Sequence, residues 1–191
     1  MDEYLTIAAT AEGYYTEKRS KFYAFAHPVD DVTQVQELVK QYRKRFYDAR
    51  HVCYAYVLGA EGSEYRANDD GEPSSTAGKP ILGQIVSHSL TNVLVVVVRY
   101  YGGINLGTGG LIVAYRTAAA DALDHASVIS RQVEEVITHH FSYLQMNEVM
   151  KVIKDMQPRV ISQQFDNDCT ITLAIRQSEA PLLRHRLSAI L

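Results

Sequence analysis

The stretch "NVLVVVVRYYGGINLGTGGLIVAYRTAAADALDHA" occupies residues 92–126, and its reading decides the fold. Its first part is apolar without alternation, which is the pattern of a strand buried on both faces. Its last part, residues 108–125, reads as a helix. Between them lie five glycines, at 102, 103, 107, 109 and 110. Arg99, Tyr100 and Tyr101 stand at the entrance to this loop. A strand, a glycine loop and a helix in that order make the chain a mixed α and β protein.

The elements around this unit follow from periodicity and turn chemistry. Residues 4–8 and 14–27 read as strands, with a turn at "TEKRS". Val32, Val35, Leu38, Val39, Tyr42 and Phe46 hold one face of a helix over 32–46, with Asp30 or Asp31 as its cap. "VCYAYVL", residues 52–58, is a strand, and a short one lies near 64–67. A helix over 76–88 is expected to start at Ser75 or Thr76, with Pro80 in its first turn, where the missing N–H costs nothing. Beyond residue 127 the order is β-α-β-β-α: a strand at 131–143, a helix at 144–157, a hairpin of 159–165 with 169–176, and a helix from 179. The expected domains are 1–127 and 128–191. A final strand would complete a ferredoxin-like β-α-β-β-α-β unit in the second.

Composition narrows the functional classes. At 191 residues the chain can bury roughly 70% of its unfolded surface, so no staple is required. Its net charge of −3 gives no global signal for nucleic acid or membrane. Two cysteines 116 residues apart, Cys53 and Cys169, form neither a disulfide framework nor a zinc spacing, which points to a reducing cytoplasm. The N-terminus lacks the apolar core of a signal peptide, and no run reaches the length of a membrane span.

The glycine loop admits two uses. A strand-to-helix turn leaves backbone N–H groups at the positive end of a helix, which suits an anion. The same glycines also serve tight helix–strand packing and a left-handed turn. The dinucleotide pattern fails, because Ile112 stands where a third glycine is needed, and the P-loop fails because Pro80 follows Gly78-Lys79. No cofactor is implied. Asp69, Asp70 and Glu72 in "DDGEP" can hold a divalent cation or act as acid and base, or they form a solvated turn. No further ligand can be assigned, so no metal is implied. His51 and Cys53 share a face of their strand but are poorly placed as a base and nucleophile, and no catalytic residue is assigned. His139 and His140 face opposite sides of theirs.

Arg99 is the sharpest single residue. A charge at the end of a buried strand must be paired or face a cleft, and Asp69–Glu72 is the dense acidic loop that precedes it. The expected cleft therefore gathers His51, Asp69, Asp70, Glu72, Lys79, Arg99, Tyr100, Tyr101, Gly102, Gly103, Asn105, Gly107, Gly109 and Gly110. One tyrosine of the pair 100–101 is expected in the core and the other free to stack. Lys18, Arg19, Lys21, Arg43, Lys44, Arg45 and Arg50, with aromatics interleaved, suggest a nucleic-acid face. Residues 1–126 nonetheless hold 12 Lys and Arg against 15 Asp and Glu, so a solvated helix end accounts for them as well.

"DARHVCYAY", "NDDGEPSSTAGKPILGQI" and "NVLVVVVRYYGGINLGTGGLIVAY" together resemble the Impact family. The resemblance is strong over residues 1–125 and weaker beyond. It implies a ribosomal-protein-S5 domain-2-like fold followed by a ferredoxin-like domain similar to a C-terminal domain of elongation factor G, with a last strand after Leu191. The family usually has glycine where this chain has Ser75, and a basic residue where it has Val113. The resemblance implies a link to translational control, since eukaryotic members bind a ribosome-associated co-activator of a stress kinase. A non-enzymatic protein contacting RNA or a ribosome-associated partner is the leading expectation. The alternative is an enzyme acting on a small phosphorylated or acyl substrate at the glycine loop.

Overall fold

A computed structural model of the chain describes residues 2–191. It divides into two compact units, Tyr4–Arg131 and Gln132–Leu191, the latter including residues 2 and 3. No helix among the described residues is long and apolar enough to cross a membrane.

The first unit is built on a five-stranded sheet. Its strands are β2 (Ala11–Glu17), β3 (Ser20–Pro28), β4 (His51–Leu58), β5 (Glu64–Asn68) and β6 (Val93–Tyr100), in the order β2-β3-β6-β4-β5. Every neighbouring pair is antiparallel. Helix α1 (Val32–Arg45) covers one face, and α2 (Gly78–Ser87) and α3 (Gly107–Asp124) cover the other. Both faces of the central strand are therefore sealed. Val93, Val95 and Val97 pack with Ile81, Ile85, Ala114 and Ala118, while Leu94, Val96 and Val98 pack with Val35, Val39 and Tyr42. An unbroken apolar run is the sequence of such a strand even where all its neighbours are antiparallel. Strand β1 (Glu3–Ile7) pairs with β7 (Val128–Gln132) in a small separate sheet.

The alanines of α3 let it lie close against the sheet. A side chain at Gly13 of β2 would collide with the α3 backbone at Ala118 and Ala122. Asp31 caps α1 by accepting from the Gln34 N–H at 2.8 Å. The cap of α2 departs from the expectation of Ser75 or Thr76. No residue at the helix start supplies one. Instead Asp69, eight to nine residues upstream, accepts from the N–H groups of Ser75, Ala77 and Gly78 at 2.9, 3.2 and 2.8 Å. A carboxylate there also suits the positive end of the helix. Ser75 carries φ +64°, a left-handed conformation that favours glycine.

The second unit contains β8 (Glu134–Phe141), α4 (Met146–Met156), β9 (Arg159–Phe165), β10 (Cys169–Arg176) and α5 (Ala180–Ser188). The strands form an antiparallel sheet in the order β8-β10-β9. Alternate residues Ile137, Phe141, Ile171, Leu173 and Ile175 pack with Val149, Val152, Leu183 and Leu187 of the helices. The strand expected over 131–143 is two strands, β7 and β8. They are divided at Val133, whose N–H donates to the Asp2 carbonyl and whose carbonyl accepts from the Gln177 N–H.

Two measurements test these interactions. Asp69→Ala leaves three helix-start N–H groups without their acceptor and is expected to cost about 1–2 kcal/mol in urea unfolding, with Asp69→Asn losing less.

The second concerns His27, whose ring lies between Thr10 and Tyr42. Burial holds its proton affinity below the ordinary histidine value of 6.5. The unfolded chain therefore binds this proton more readily, and stability falls as pH drops below about 6.5. Burial pushes Tyr42 up to about 12, so stability is lost again as pH climbs past its ordinary value of 10.0. Denaturant midpoints across the two ranges check this, and His27→Gln is expected to flatten part of the acid limb.

Candidate functional site

The site forms at one end of the five-stranded sheet. The register places Arg99 of β6 opposite Phe22 of β3 on one side and His51 of β4 on the other. Arg99 is a charged residue only 5% exposed, so its charge must be met inside the protein. Its Nη1 donates to both carboxylate oxygens of Glu72, each at 2.9 Å. Two more groups converge on that carboxylate. The Tyr115 hydroxyl, from the buried face of α3, donates to Oε2 at 2.6 Å. His51 Nε2 lies 3.0 Å from Oε1. His51 Nδ1 donates to the Asp70 carbonyl at 2.7 Å, which fixes the ring against the acidic loop.

One acidic loop thus meets five elements, β4, β6, α1, α2 and α3. Glu72 receives Arg99, Tyr115 and His51. The Asp70 carboxylate accepts from the Val52 N–H at 2.7 Å and lies 3.6 Å from Arg43. Asp69 turns away to cap α2, and its carbonyl receives the Cys53 thiol at 3.1 Å. Cys53 is fully buried, and burial pushes its thiol far up from the ordinary range. Burial does the same to Tyr115, reinforced by Cys53 and Glu72 beside it.

The glycine loop closes the other wall. Gly102 is required by close approach, since a side chain there would collide with the backbone of Arg19 in the β2–β3 turn. Its N–H and Arg99 Nη2 both donate to Ser20 Oγ, at 3.3 and 3.4 Å. The Tyr101 hydroxyl donates to Asn105 at 3.0 Å and so ties the loop across its own width. Between the walls lies a cleft of about 450 Å³. Arg50, His51, Glu72, Arg99, Tyr101, Asn105, Gly107 and Thr108 line it, with Gly71, Pro73, Leu106 and Leu111.

The expected cleft residues divide accordingly. His51, Glu72, Arg99, Tyr101, Asn105 and Gly107 are brought together. Asp69 and Asp70 shape the loop behind the cleft. Tyr100 points to the opposite face, packing on Tyr23 and Phe46 with its hydroxyl donating to Asp48 at 2.8 Å. Lys79 is exposed on α2 and lies outside the lining. Gly109 and Gly110 line a separate hollow with Lys18 and Val113. Gly102 and Gly103 stand outside the lining as well, Gly102 as the packing point already described. Tyr115 and Ser20 are members that sequence reasoning missed. A tyrosine on the alanine stripe of α3 carries a hydroxyl that burial obliges to find a partner, and that was its signal.

Residues 18–123, more than half of the chain, match the Impact N-terminal domain family. The chain belongs to the IMPACT family. The IMPACT family member YigZ of Escherichia coli is 32% identical over 177 residues, covering 92% of this chain and 87% of that protein. The member YvyE of Bacillus subtilis is 32% identical over 157 residues, covering 82% of this chain and 72% of its own length. A crystal structure of a hypothetical protein, 30% identical, superposes with a TM-score of 0.79 over 98% of this chain and 92% of that one. The α and β two-domain architecture is therefore shared along the whole length.

Within this IMPACT-family chain the Glu72 cluster is a single energetic unit. Arg99→Ala strands a buried carboxylate and is expected to cost about 3–5 kcal/mol in chemical denaturation. The joint replacement Arg99→Met with Glu72→Leu is expected to cost less than the sum of its two single changes by about 1–3 kcal/mol. Strict additivity would show that the two charges do not act together.

Proposed function

We propose that this IMPACT-family chain is a non-enzymatic binding protein of translation or its regulation, contacting RNA or a ribosome-associated partner. Family membership supports the link to translation. The observation that carries the binding surface is the sheet register. It sets Lys21 opposite Tyr100, and Arg99 opposite His51, at one end of the sheet. The β2–β3 turn with Lys18 and Arg19, the end of α1 with Arg43, Lys44 and Arg45, and Arg50 all fall at that end. Most acids there are already engaged, Glu72 by Arg99, Asp70 by Val52 and Arg43, Asp69 by α2 and Asp48 by Tyr100, while Glu17 accepts only from the Tyr15 hydroxyl at 3.4 Å. Among the described residues Lys18, Arg19, Lys21, Lys44 and Arg50 enter no ion pair. A chain of net charge −3 thus presents a local cationic surface, with Tyr47 84% exposed beside it. Phosphate-backbone contact needs that kind of surface.

The enzymatic reading finds less support. Both nitrogens of His51 are committed to the acidic loop. Cys53 is sealed in the core with its thiol held protonated. The groups that could have formed a base and nucleophile serve the architecture of the loop.

Co-sedimentation with ribosomes over a salt series tests the proposal. Association at low salt that declines as salt rises is expected. The variant Lys18→Asn with Arg19→Gly removes two charges and suits the left-handed φ values of 46° and 66° at these positions, so its fold is retained. It is expected to shallow the salt dependence by about 0.7–0.9 in log–log slope for each phosphate that the variant no longer neutralises. Protein remaining in the supernatant at low salt would remove the main support for this reading.

A further inference from the structure

The cleft between the acidic loop and α3 has a donor set that its own acceptors do not exhaust. Arg50, His51 and Arg99 line it against one carboxylate, Glu72. Glu72 takes Arg99 through Nη1 alone. The other edge of that guanidinium is formed by Nε and Nη2, two parallel N–H groups in the pattern that grips a carboxylate or phosphate, on a residue that lines the cleft. Nη2 has one long contact to Ser20 Oγ at 3.4 Å. Nε is buried with no acceptor among the described residues, on a side chain only 7% exposed. A buried guanidinium nitrogen without an acceptor is costly, and a ligand oxygen is the group that would satisfy it.

A second feature meets the same space. Helix α3 opens at Gly107, with Leu106 at its cap position. Among the described residues no side chain caps it, and its first turn carries no acid. Its 18 residues bring a full helix dipole to Gly107 and Thr108, both of which line the cleft. Arg50 and Arg99 hold their guanidinium carbons 5.3 and 5.4 Å from the centre of the Tyr101 ring. Tyr101 thereby positions two cations at the cleft, and Asn105 fixes Tyr101.

We propose that this cleft is an oxyanion site for a phosphate monoester, held by Arg50, the Nε edge of Arg99 and the first-turn N–H groups of α3. A volume of about 450 Å³ admits a phosphate with the group that carries it. Because Nη1 keeps Glu72, the anion adds to the network without breaking the ion pair. The site goes beyond ribosome contact and stands independently of it, since it needs one cleft and not a charged surface.

Amide NMR of the full chain titrated with inorganic phosphate tests the site. Shifts centred on Gly107, Thr108 and Gly109 at millimolar phosphate are expected. Arg50→Ala, at an exposed position, is expected to weaken binding about ten- to a hundredfold. Thr108→Asp places a carboxylate in the first turn of α3, where it favours the helix but repels the anion. It is expected to raise or hold thermal stability while abolishing the shifts, so loss of binding is separated from loss of fold. Two further arms identify the source of the phosphate. A 5′-phosphorylated oligoribonucleotide binding more tightly than its 5′-hydroxyl counterpart supports an RNA end as the ligand. Equal affinities of the two, with a nucleoside monophosphate binding, support a small phosphorylated molecule. Absence of shifts at these amides, or shifts that persist unchanged in Thr108→Asp, would overturn the proposal, whatever the ribosome experiment gives.

Discussion

The pairing of Arg99 with Glu72 is the constraint on which the rest of the first unit depends. A charged arginine at the end of a fully buried strand is unfavourable unless a carboxylate reaches it. Glu72 can reach it only if the loop between β5 and α2 folds back across the end of the sheet. Once there, Glu72 has room for more than one neighbour: the Tyr115 hydroxyl donates to it, and His51 lies against it. The carboxylate therefore joins β6, β4, α3 and the acidic loop at a single point. Apolar residues of similar volume could give equal or greater stability, since desolvation offsets much of the attraction in a buried pair. What the pair supplies is position: one geometry brings Arg99, Tyr115 and His51 to the same carboxylate, so the loop has one place to lie.

The neighbouring acids are consequences of the same fold-back. With the loop anchored by Glu72, Asp69 comes to the start of α2 and Asp70 to the Val52 N–H. Three carboxylates that look like a metal cluster in sequence are spread over three separate tasks. The density of charge in "DDGEP" reflects a tight turn that must satisfy a helix end, a strand end and a buried guanidinium within four residues. The glycine loop makes the complementary adjustment. It must pass against the backbone of Arg19, which only Gly102 permits.

Much of this was legible in the chain. The apolar run 93–98, the helix face of α1 and the hairpin of β9 and β10 follow from periodicity and turn chemistry. So does the need for an acid near Arg99, because that need arises from burial of a charge and burial was readable from the run before it. Three things were hidden. Asp69 caps a helix eight to nine residues away, beyond the range at which cap signals are sought. The break at Val133 depends on Asp2 and Gln177, partners remote in sequence. The fate of Tyr100 against Tyr101 depends on which face α1 covers, and adjacent residues of a strand carry no label for that.

The electrostatics of the sheet end reconcile an acidic protein with the anionic ligands proposed above. Each acid near the cleft is held by a donor within the fold, so its field is largely cancelled at short range. The cations Lys18, Arg19, Lys21, Lys44 and Arg50 have no such partner among the described residues, and their field extends outward until salt screens it, over about 8–10 Å. Net charge counts both groups equally, whereas a ligand approaching the sheet end does not. It meets the uncompensated cations first and the Arg99–Glu72 pair only at the base of the cleft. A long polyanion can be held by the outer charges alone. A group small enough to enter meets Arg99 and the start of α3 as well. On the two proposals the same sheet end has two tiers of recognition, a diffuse one that salt weakens strongly and a buried one that salt weakens less.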